Sequence, residues 1–145
     1  MYKFSRREYF TLHSGLYEVK EGIIIKQKPL PNGNYSNVAV LSNGYYYNSL
    51  RDSFDYVRLF VLEDCIISRA KEVNDTQLLK QYTDIEELNY IQTFPQEFTR
   101  QKIYLFIQWA EKQGIMHLLT QDMVAGFCGV GRVTVARHFK EMRVS

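Results

Sequence analysis

The chain has 145 residues, 46% of them hydrophobic, and a formal net charge of +2. This composition can bury a real core and excludes an intrinsically disordered chain. No apolar run approaches the roughly 20 residues that cross a bilayer, and two cysteines do not make a disulfide framework, so membrane-spanning and disulfide-stabilised classes are excluded as well.

The two cysteines and the first ten residues both indicate a cytoplasmic protein. Cys65 and Cys128 lie in apolar stretches, which predicts two buried thiols in a reducing compartment. Residues 1–10 are polar and basic rather than apolar, so no signal peptide is expected.

The first half of the chain is predicted to be β-structure. Residues 15–29 predict two short strands on either side of residues 20–22. Strong turn signals follow at residues 31–34 and 42–44. Strands of this length and spacing are typical of a small jelly-roll-like β-barrel. The remaining predicted strands are residues 35–41, 45–47, 56–62 and 65–70.

A connecting helix is predicted over residues 75–91, with Asn74 or Asp75 as its N-cap. An apolar stripe runs along one side of it and consists of Leu78, Tyr82, Ile85 and Leu88. Either this stripe packs on the same helix of a second subunit, or it packs on its own sheet. Residues 83–86 match a capping box, which predicts a break there, and Phe94 before Pro95 ends the helix.

The next helix is predicted over residues 99–113 and ends at Gly114, a residue suited to a helix C-terminus. Trp109 is expected to have a structural role. The residues predicted to face inward are Ile103, Phe106, Ile107 and Ala110.

The segment from Leu119 to Val144 has the spacing of a helix-turn-helix. Thr120 can cap a first helix, whose Val124 and Cys128 share one face because they are four residues apart. Gly129 supplies the turn, since glycine adopts positive φ without steric strain. The second helix, over residues 132–142, is predicted to bury Val135, Phe139 and Met142. The alternative is an ordinary pair of core helices with a solvated basic face.

Charge is divided unevenly between the halves of the chain. Residues 96–145 hold seven Lys and Arg against four Asp and Glu, a net charge of +3, and the rest of the chain carries −1. This asymmetry suits a polyanionic partner for the C-terminal part.

The helix-turn-helix segment resembles the DNA-binding half of the Crp/Fnr family of bacterial transcription regulators. Arg132, Thr134, Val135 and Arg137 match the family pattern, whereas Gly131 and Val133 stand where that pattern has serine and glutamate. The resemblance continues upstream through residues 98–114 and, more loosely, into the β-rich half.

The resemblance implies an α+β architecture with three parts. These are a jelly-roll-like sensory domain related to cyclic-nucleotide-binding domains (residues 1–73), a dimerisation helix (74–95) and a helix-turn-helix DNA-binding domain (96–145). The last part is expected to be winged-helix-like but without the β-hairpin wing that follows in the family.

The resemblance also implies a homodimer that binds a palindromic double-stranded operator. Arg132 and Arg137 are expected to read guanine through paired hydrogen bonds, and Val133 to contact a thymine methyl group. Phosphate contacts, which set the register, are expected from Thr120, Gln121, Thr134 and Lys140. His138 is expected to pack in the core.

The sequence predicts no cofactor and no metal, and it leaves the effector unknown. The family's cyclic-nucleotide site has a Gly-Glu pair followed by an arginine and a small hydroxyl residue, and this pattern is missing, so cyclic AMP is not expected. Arg51 and Arg58 are interpreted as solvated surface charges. An iron–sulfur cluster needs four thiolates, and the three histidines lack the spacing of metal ligands.

Two functions remain open at this point. The first is a sequence-specific transcription regulator. The second is a protein-interaction module that dimerises, or docks on another regulator or on RNA polymerase, without reading DNA. An enzyme is not expected, because metal chemistry in a small barrel needs clustered ligands and the β-rich half has only His13.

Overall fold

The computed structural model describes residues 1–49 and 57–144, with side chains as far as residue 142. The chain divides into two compact units, Met1–Ile85 and Glu86–Ser145. The first unit contains an antiparallel sheet and the second is helical. Because the boundary falls inside a helix, the three-part domain division stays a prediction.

The sheet of the first unit has six strands among the described residues. They are β1 (Tyr2–Phe4), β2 (Tyr9–Phe10), β3 (Leu16–Pro29), β4 (Tyr35–Leu41), β5 (Tyr46–Asn48) and β6 (Arg58–Arg69). The order is β1-β6-β3-β4, with β2 paired to β6 and β5 paired to β3. All the pairs are antiparallel, so the predicted architecture is confirmed, although the described strands form an open sheet.

Two predicted pairs of short strands are in fact single long strands. Strand β3 runs through residues 20–22 without a turn, and β6 continues from the first predicted run, 56–62, into the second, 65–70; Tyr56 lies outside the described residues. The strands β3 and β6 pair from Tyr17 with Arg69 to Gln27 with Arg58, and bulges shift the register between residues 19 and 24. A bulge inserts an extra residue and bends a strand without ending it, which explains why this stretch resembled a turn.

Gly22 is the residue that makes the bulge sterically possible. Its φ is +98°, and a Cβ atom built there would lie 2.4 Å from the carbonyl oxygen of Asp64 on β6. Side chains are therefore excluded at this position both by backbone conformation and by space.

The hydrophobic core of the first unit is a cluster of buried side chains on and beside the sheet. Its buried residues come from every long strand and are Tyr17, Val19, Ile24, Leu41, Tyr45, Tyr47, Val57, Leu59, Val61, Cys65 and Ile67. Burial raises the pKa of the Cys65 thiol to about 11. Cys65 is free and buried, as the sequence predicts.

Arg58 is not the solvated surface charge that the sequence suggested. Its guanidinium carbon lies 4.1 Å from the ring centre of Tyr9 and 3.6 Å from that of Tyr35. Its Nε donates to Oε1 of Gln27 at 2.8 Å. A cation between two aromatic faces is held by their ring quadrupoles. The corresponding interpretation of Arg51 lies outside the described residues.

The connecting helix α1 (Asp75–Gln92) begins where the sequence predicts and does not break. Asn74 is its cap, because the Asn74 Oδ1 accepts from the amide of Gln77 at 3.0 Å. The predicted break at residues 83–86 is wrong. Thr83, the cap residue of that box, instead donates from its Oγ1 to the carbonyl of Leu79 at 3.0 Å within the continuous helix. The neighbouring Asp84 is buried and accepts a hydrogen bond from the hydroxyl of Tyr45. Burial, and then the Asp84 carboxylate, raise the pKa of Tyr45 well above its usual range.

The second unit contains α2 (Thr99–Lys112), α3 (Gln121–Cys128) and α4 (Arg132–Val144), with short 3₁₀ turns at Gln96–Phe98 and Met116–Leu118. Its core contains Ile103, Phe106 and Phe127, and the rings of the two phenylalanines stack at 4.9 Å. Trp109 of α2 is buried, and its ring centre lies 5.8 Å from that of Phe106. Ile107 is only half-buried. No helix of the described residues is long and apolar enough to cross a membrane.

Replacing Gly22 with alanine should destabilise the first unit strongly. We expect a loss of roughly 3 kcal/mol or more in the free energy of unfolding, because strain at positive φ adds to a clash with β6. Urea unfolding followed by far-ultraviolet circular dichroism measures the loss. Gly33→Ala is the matched control, since Gly33 has φ +87° but a Cβ atom there would meet no other atom within 4 Å; it should lose only about 1 kcal/mol. Equal losses would contradict the role given to Gly22.

Candidate nucleic-acid interface

The turn between α3 and α4 has the backbone geometry of a helix-turn-helix. Thr120 caps α3, because its side-chain oxygen accepts from the amide of Met123 at 3.2 Å. Gly129 ends α3 in the left-handed conformation, with φ 68°. The amides of Gly129 and Val130 both donate to the carbonyl of Ala125, at 2.9 and 3.2 Å. A left-handed C-terminal residue of this kind reverses the chain direction sharply, so α4 can begin at Arg132.

The apolar contacts of the motif follow the predicted pattern with two differences. Val124, Ala125, Cys128 and Val135 are buried, and Phe127, which the sequence analysis did not single out, is buried with them. Phe139 is only half-buried, and Met142 is exposed. Near the end of a helix, fewer neighbours are available to cover a side chain, so the predicted inward stripe of α4 weakens there.

Two polar side chains of the motif are also buried. His138 packs inside, as expected, with its Nδ1 3.6 Å from a carboxylate oxygen of the more exposed Glu141. Burial raises the pKa of the Cys128 thiol to about 12, although the nearby charge of Lys102 acts in the opposite direction. The Cys128 thiol therefore stays protonated at neutral pH and acts as a small apolar group.

The outer face of α4 brings three of the predicted DNA-contact residues together. Val133, Arg137 and Lys140 are exposed at spacings of four and three residues, which places them on one side of the helix. Val133 is 81% exposed, so its methyl groups are accessible to a partner. Arg132 is exposed at the start of the helix, and Thr134 is half-buried beside this face.

Arg132 has a partner that the sequence did not reveal. Its Nε lies 3.4 Å from Oδ1 of Asp122, and both side chains are more than two-thirds exposed. Asp122 lies in the first turn of α3, next to Gln121, which is half-buried, while Thr120 is exposed. An exposed ion pair is worth about 0–1 kcal/mol, so Asp122 can hold the guanidinium in place but can also be displaced from it.

Three polar side chains donate hydrogen bonds to backbone carbonyls of the motif and of the segment that precedes α2. Gln92 donates to the carbonyl of Phe127 at 3.0 Å, and Gln96 donates to that of Gly129 at 3.2 Å. Lys102, buried in α2, donates to the carbonyl of Phe94 at 3.3 Å. None of these three residues was predicted from the sequence, because a side chain that bonds a distant carbonyl leaves no periodic signal.

The four residues of the predicted dimerisation stripe differ in exposure. Tyr82 is 46% exposed, Leu78 and Ile85 are half-buried, and Leu88 is fully buried. A different pair on the same helix is more accessible, because Leu79 and Tyr90 are 68% and 64% exposed.

The first unit contains a cavity of about 570 Å³ beside the first half of α1. Among the described residues that line it, none is an arginine or a glutamate. They are Leu16, Lys26, Lys28, Val38, Ala39, Leu41, Tyr46, Tyr47, Asn48, Val73, Leu78, Gln81, Tyr82 and Ile85. The described part of the chain also holds no group of three or more His, Cys, Asp or Glu side chains suited to a metal ion.

Comparison with solved structures shows that the chain has the fold of Crp/Fnr regulators. A CRP-family transcriptional regulator from Thermus thermophilus matches with a TM-score of 0.76 and 13% identity, over 99% of this chain and 84% of that one. The c-di-GMP responsive global regulator CLP of Xanthomonas campestris matches with a TM-score of 0.73 and 13% identity, over 99% and 86%. FixK2 from Bradyrhizobium japonicum gives 0.64 and 11%, over 99% and 83%.

No protein-family model and no curated protein sequence matches the chain significantly. The resemblance to the Crp/Fnr family is therefore confirmed at the level of the fold, while the sequence is only 11–13% identical to these structures.

If α4 binds duplex DNA as the sequence predicts, removing the charge of Asp122 should strengthen that binding. In Asp122→Asn, Arg132 loses its carboxylate partner and the interface loses a negative charge, so we expect affinity for a mixed-sequence duplex to rise about threefold at low salt. Fluorescence anisotropy at several salt concentrations measures the change, which should shrink as salt rises. Glu111→Gln makes the same charge change on α2. An equal gain in both variants would show that Arg132 is not involved.

Proposed function

We propose that this protein is a sequence-specific DNA-binding transcription regulator of the Crp/Fnr type, which acts in the cytoplasm as a homodimer. The proposal rests on the outer face of α4, where Val133, Arg137 and Lys140 are exposed together. This helix directly follows a turn of helix-turn-helix geometry. The fold supports it, because the similar solved structures are described as transcriptional regulators.

The side chains of the outer face suit a major groove. Arg132 and Arg137 can each donate two parallel hydrogen bonds to guanine O6 and N7, which discriminates by about 1–3 kcal/mol per contact. Val133 can pack on the methyl group of thymine, and its high exposure in the free protein leaves apolar surface for such a contact. A valine cannot accept from cytosine as a glutamate does, so the half-site should differ from that of regulators with glutamate there.

The remaining predicted contacts suit the phosphate backbone. Lys140 is a flexible cation on the same face as Arg137. Thr120 and Gln121 lie at the N-terminus of α3, where the backbone amides that Thr120 does not cap favour an anion. Thr134 has a hydroxyl beside the exposed face. Contacts of this kind orient the protein without reading sequence.

The connecting helix supports the dimer. Leu79 and Tyr82 are large apolar side chains exposed on one side of α1, at a spacing of three residues. Pairing the helix with its symmetry mate would cover both side chains. A dimer joined in this way binds two half-sites that lie about one helical turn apart, and hence a palindromic operator.

A protein-interaction module is the second candidate, and one observation favours it. Arg132, the first of the two expected base-reading residues, is paired with Asp122 rather than free. A relative that docks on another regulator or on RNA polymerase would use the exposed Val133 as an apolar contact. Salt dependence separates the two candidates, because binding through phosphates weakens steeply as salt rises.

The main test is selection of bound sequences from a random duplex library at about 150 mM salt. We expect a two-fold-symmetric motif with half-sites about 10 base pairs apart. The double variant Arg132→Ala with Arg137→Ala should bind that motif about a hundredfold more weakly or worse, because two bidentate base contacts are lost.

The control variant Arg100→Ala with Lys112→Ala removes the same charge from exposed positions on α2. It should lower the affinity only slightly and keep the same motif. If the wild-type protein enriches no sequence, the regulator proposal fails and the interaction module takes its place.

Dimer formation is tested separately, through Leu79. Leu79→Glu puts a charge in the proposed helix contact, so we expect the dimer dissociation constant to rise about tenfold or more. Sedimentation equilibrium measures it. Lys80→Glu places the same residue at the neighbouring position, on the flank of the helix, and should leave the constant nearly unchanged. A wild-type protein that is monomeric at micromolar concentration would contradict the dimer.

A further inference from the structure

Two glutamine side chains join the end of α1 to the turn of the helix-turn-helix. Gln92 is the last residue of α1, and its Nε2 donates to the carbonyl oxygen of Phe127 at 3.0 Å. Gln96 lies in the following 3₁₀ turn, and its Nε2 donates to the carbonyl oxygen of Gly129 at 3.2 Å. We refer to Gln92 and Gln96 as the glutamine pair. All four residues belong to the second unit.

The acceptors of the glutamine pair are available because of helix geometry. The last four carbonyls of a helix have no partner within it. At the end of α3, the amides of Gly129 and Val130 both return to the carbonyl of Ala125. The Phe127 carbonyl, two residues later, accepts from outside the helix, and Gln92 provides that donor.

A third side chain fixes the segment between the two glutamines. The buried Lys102 donates from its Nζ to the carbonyl oxygen of Phe94 at 3.3 Å. Residues 92–96 are therefore bonded on one side to α2 and on the other to the end of α3. This segment is the covalent route from α1 to the DNA-binding helices.

The glutamine pair is better suited to orientation than to stability. Gln96 is exposed and Gln92 is half-buried, and a neutral hydrogen bond at such positions contributes modestly to folding. The second unit already has an apolar core around Ile103, Phe106 and Phe127. Two directional bonds at separate points of one turn, however, fix its rotation relative to the end of α1.

We propose that Gln92 and Gln96 are positioning residues, which set the spacing between half-sites by fixing the helix-turn-helix against the end of α1. This inference rests on the proposed function. In a dimer joined through α1, the direction in which each α4 projects depends on its orientation to that helix, and this direction determines which half-site separation both copies can bind at once. Loss of the pair should widen the accepted spacing without changing which bases are read.

The experiment compares the wild-type protein with Gln92→Met plus Gln96→Met, which keeps side-chain length and charge but removes both donors. Each is bound to duplexes that carry the selected half-sites at the preferred spacing and at spacings one base pair shorter and longer. The wild-type protein should prefer one spacing strongly. In the double variant, the ratio of affinities between the best spacing and its neighbours should fall about tenfold, while the half-site sequence selected from a random library stays the same.

Gln108→Met is the matched control. Gln108 is exposed on α2 and donates to the hydroxyl of Tyr104, away from the turn. The Gln108→Met variant should therefore give the same ratio of affinities between spacings as the wild-type protein. Thermal unfolding is measured on each variant. A merely structural role would lower the melting temperature and the affinity for all spacings together, and the ratio would not move.

Each result decides the inference. A double variant that folds and keeps the wild-type ratio overturns it and leaves the regulator proposal intact. If the double variant does not fold, the single variant Gln96→Met, at an exposed position, decides in its place: a reduced ratio supports the inference and an unchanged ratio overturns it. A wild-type protein that selects no DNA sequence overturns both proposals.

Discussion

The arrangement of the first unit depends on how one glutamine side chain pairs with the edge of the sheet. Oε1 of Gln81 accepts from the amide of Tyr46, and its Nε2 donates to the carbonyl of the same residue, both at 2.7 Å. A neighbouring strand would make the same two bonds. The buried Gln81 therefore completes the hydrogen bonding of β5, and it protects an edge that could otherwise pair with another chain. Because Gln81 and Asp84 are buried, Leu79, which lies on the opposite side of α1, is exposed.

Glutamine amides thus perform the same chemical task in both halves of α1. Gln81 binds a strand edge in the first unit, and Gln92 binds a helix end in the second. In each case a primary amide satisfies backbone groups that regular secondary structure leaves unpaired. An apolar side chain at either position would bury surface but would not fix a direction. The hydrogen bonds of these glutamines therefore fix the direction of the segments that they join, whereas the apolar cores provide most of the stability.

The sequence predicts best what short-range rules control. The cap at Thr120, the left-handed Gly129 and the inward Val124 and Cys128 follow from spacings of at most a few residues, and the structure agrees at each. Prediction from the sequence fails where the residue that a side chain contacts is distant in the chain. The bulge at Gly22 resembled a turn, because only its approach to Asp64 on β6 shows why a glycine is required. Arg58 resembled a surface charge, because its aromatic partners Tyr9 and Tyr35 come from strands far away in sequence. The pair of Arg132 with Asp122 and the bonds of Gln92 and Gln96 were missed for the same reason.

Because of Trp109, the indole fluorescence of the chain comes from the helical unit. This residue is the only tryptophan of the chain, and it is buried in the helical unit beside Phe106, whereas the sheet of the other unit is rich in tyrosine. Indole emission responds to exposure to water, so the fluorescence spectrum reports on the opening of the helical unit alone. Circular dichroism in the far ultraviolet averages over both units. Any difference between the two signals during unfolding would measure how independently the sheet of the first unit and the helices of the second lose their structure, without a label and without changing a residue.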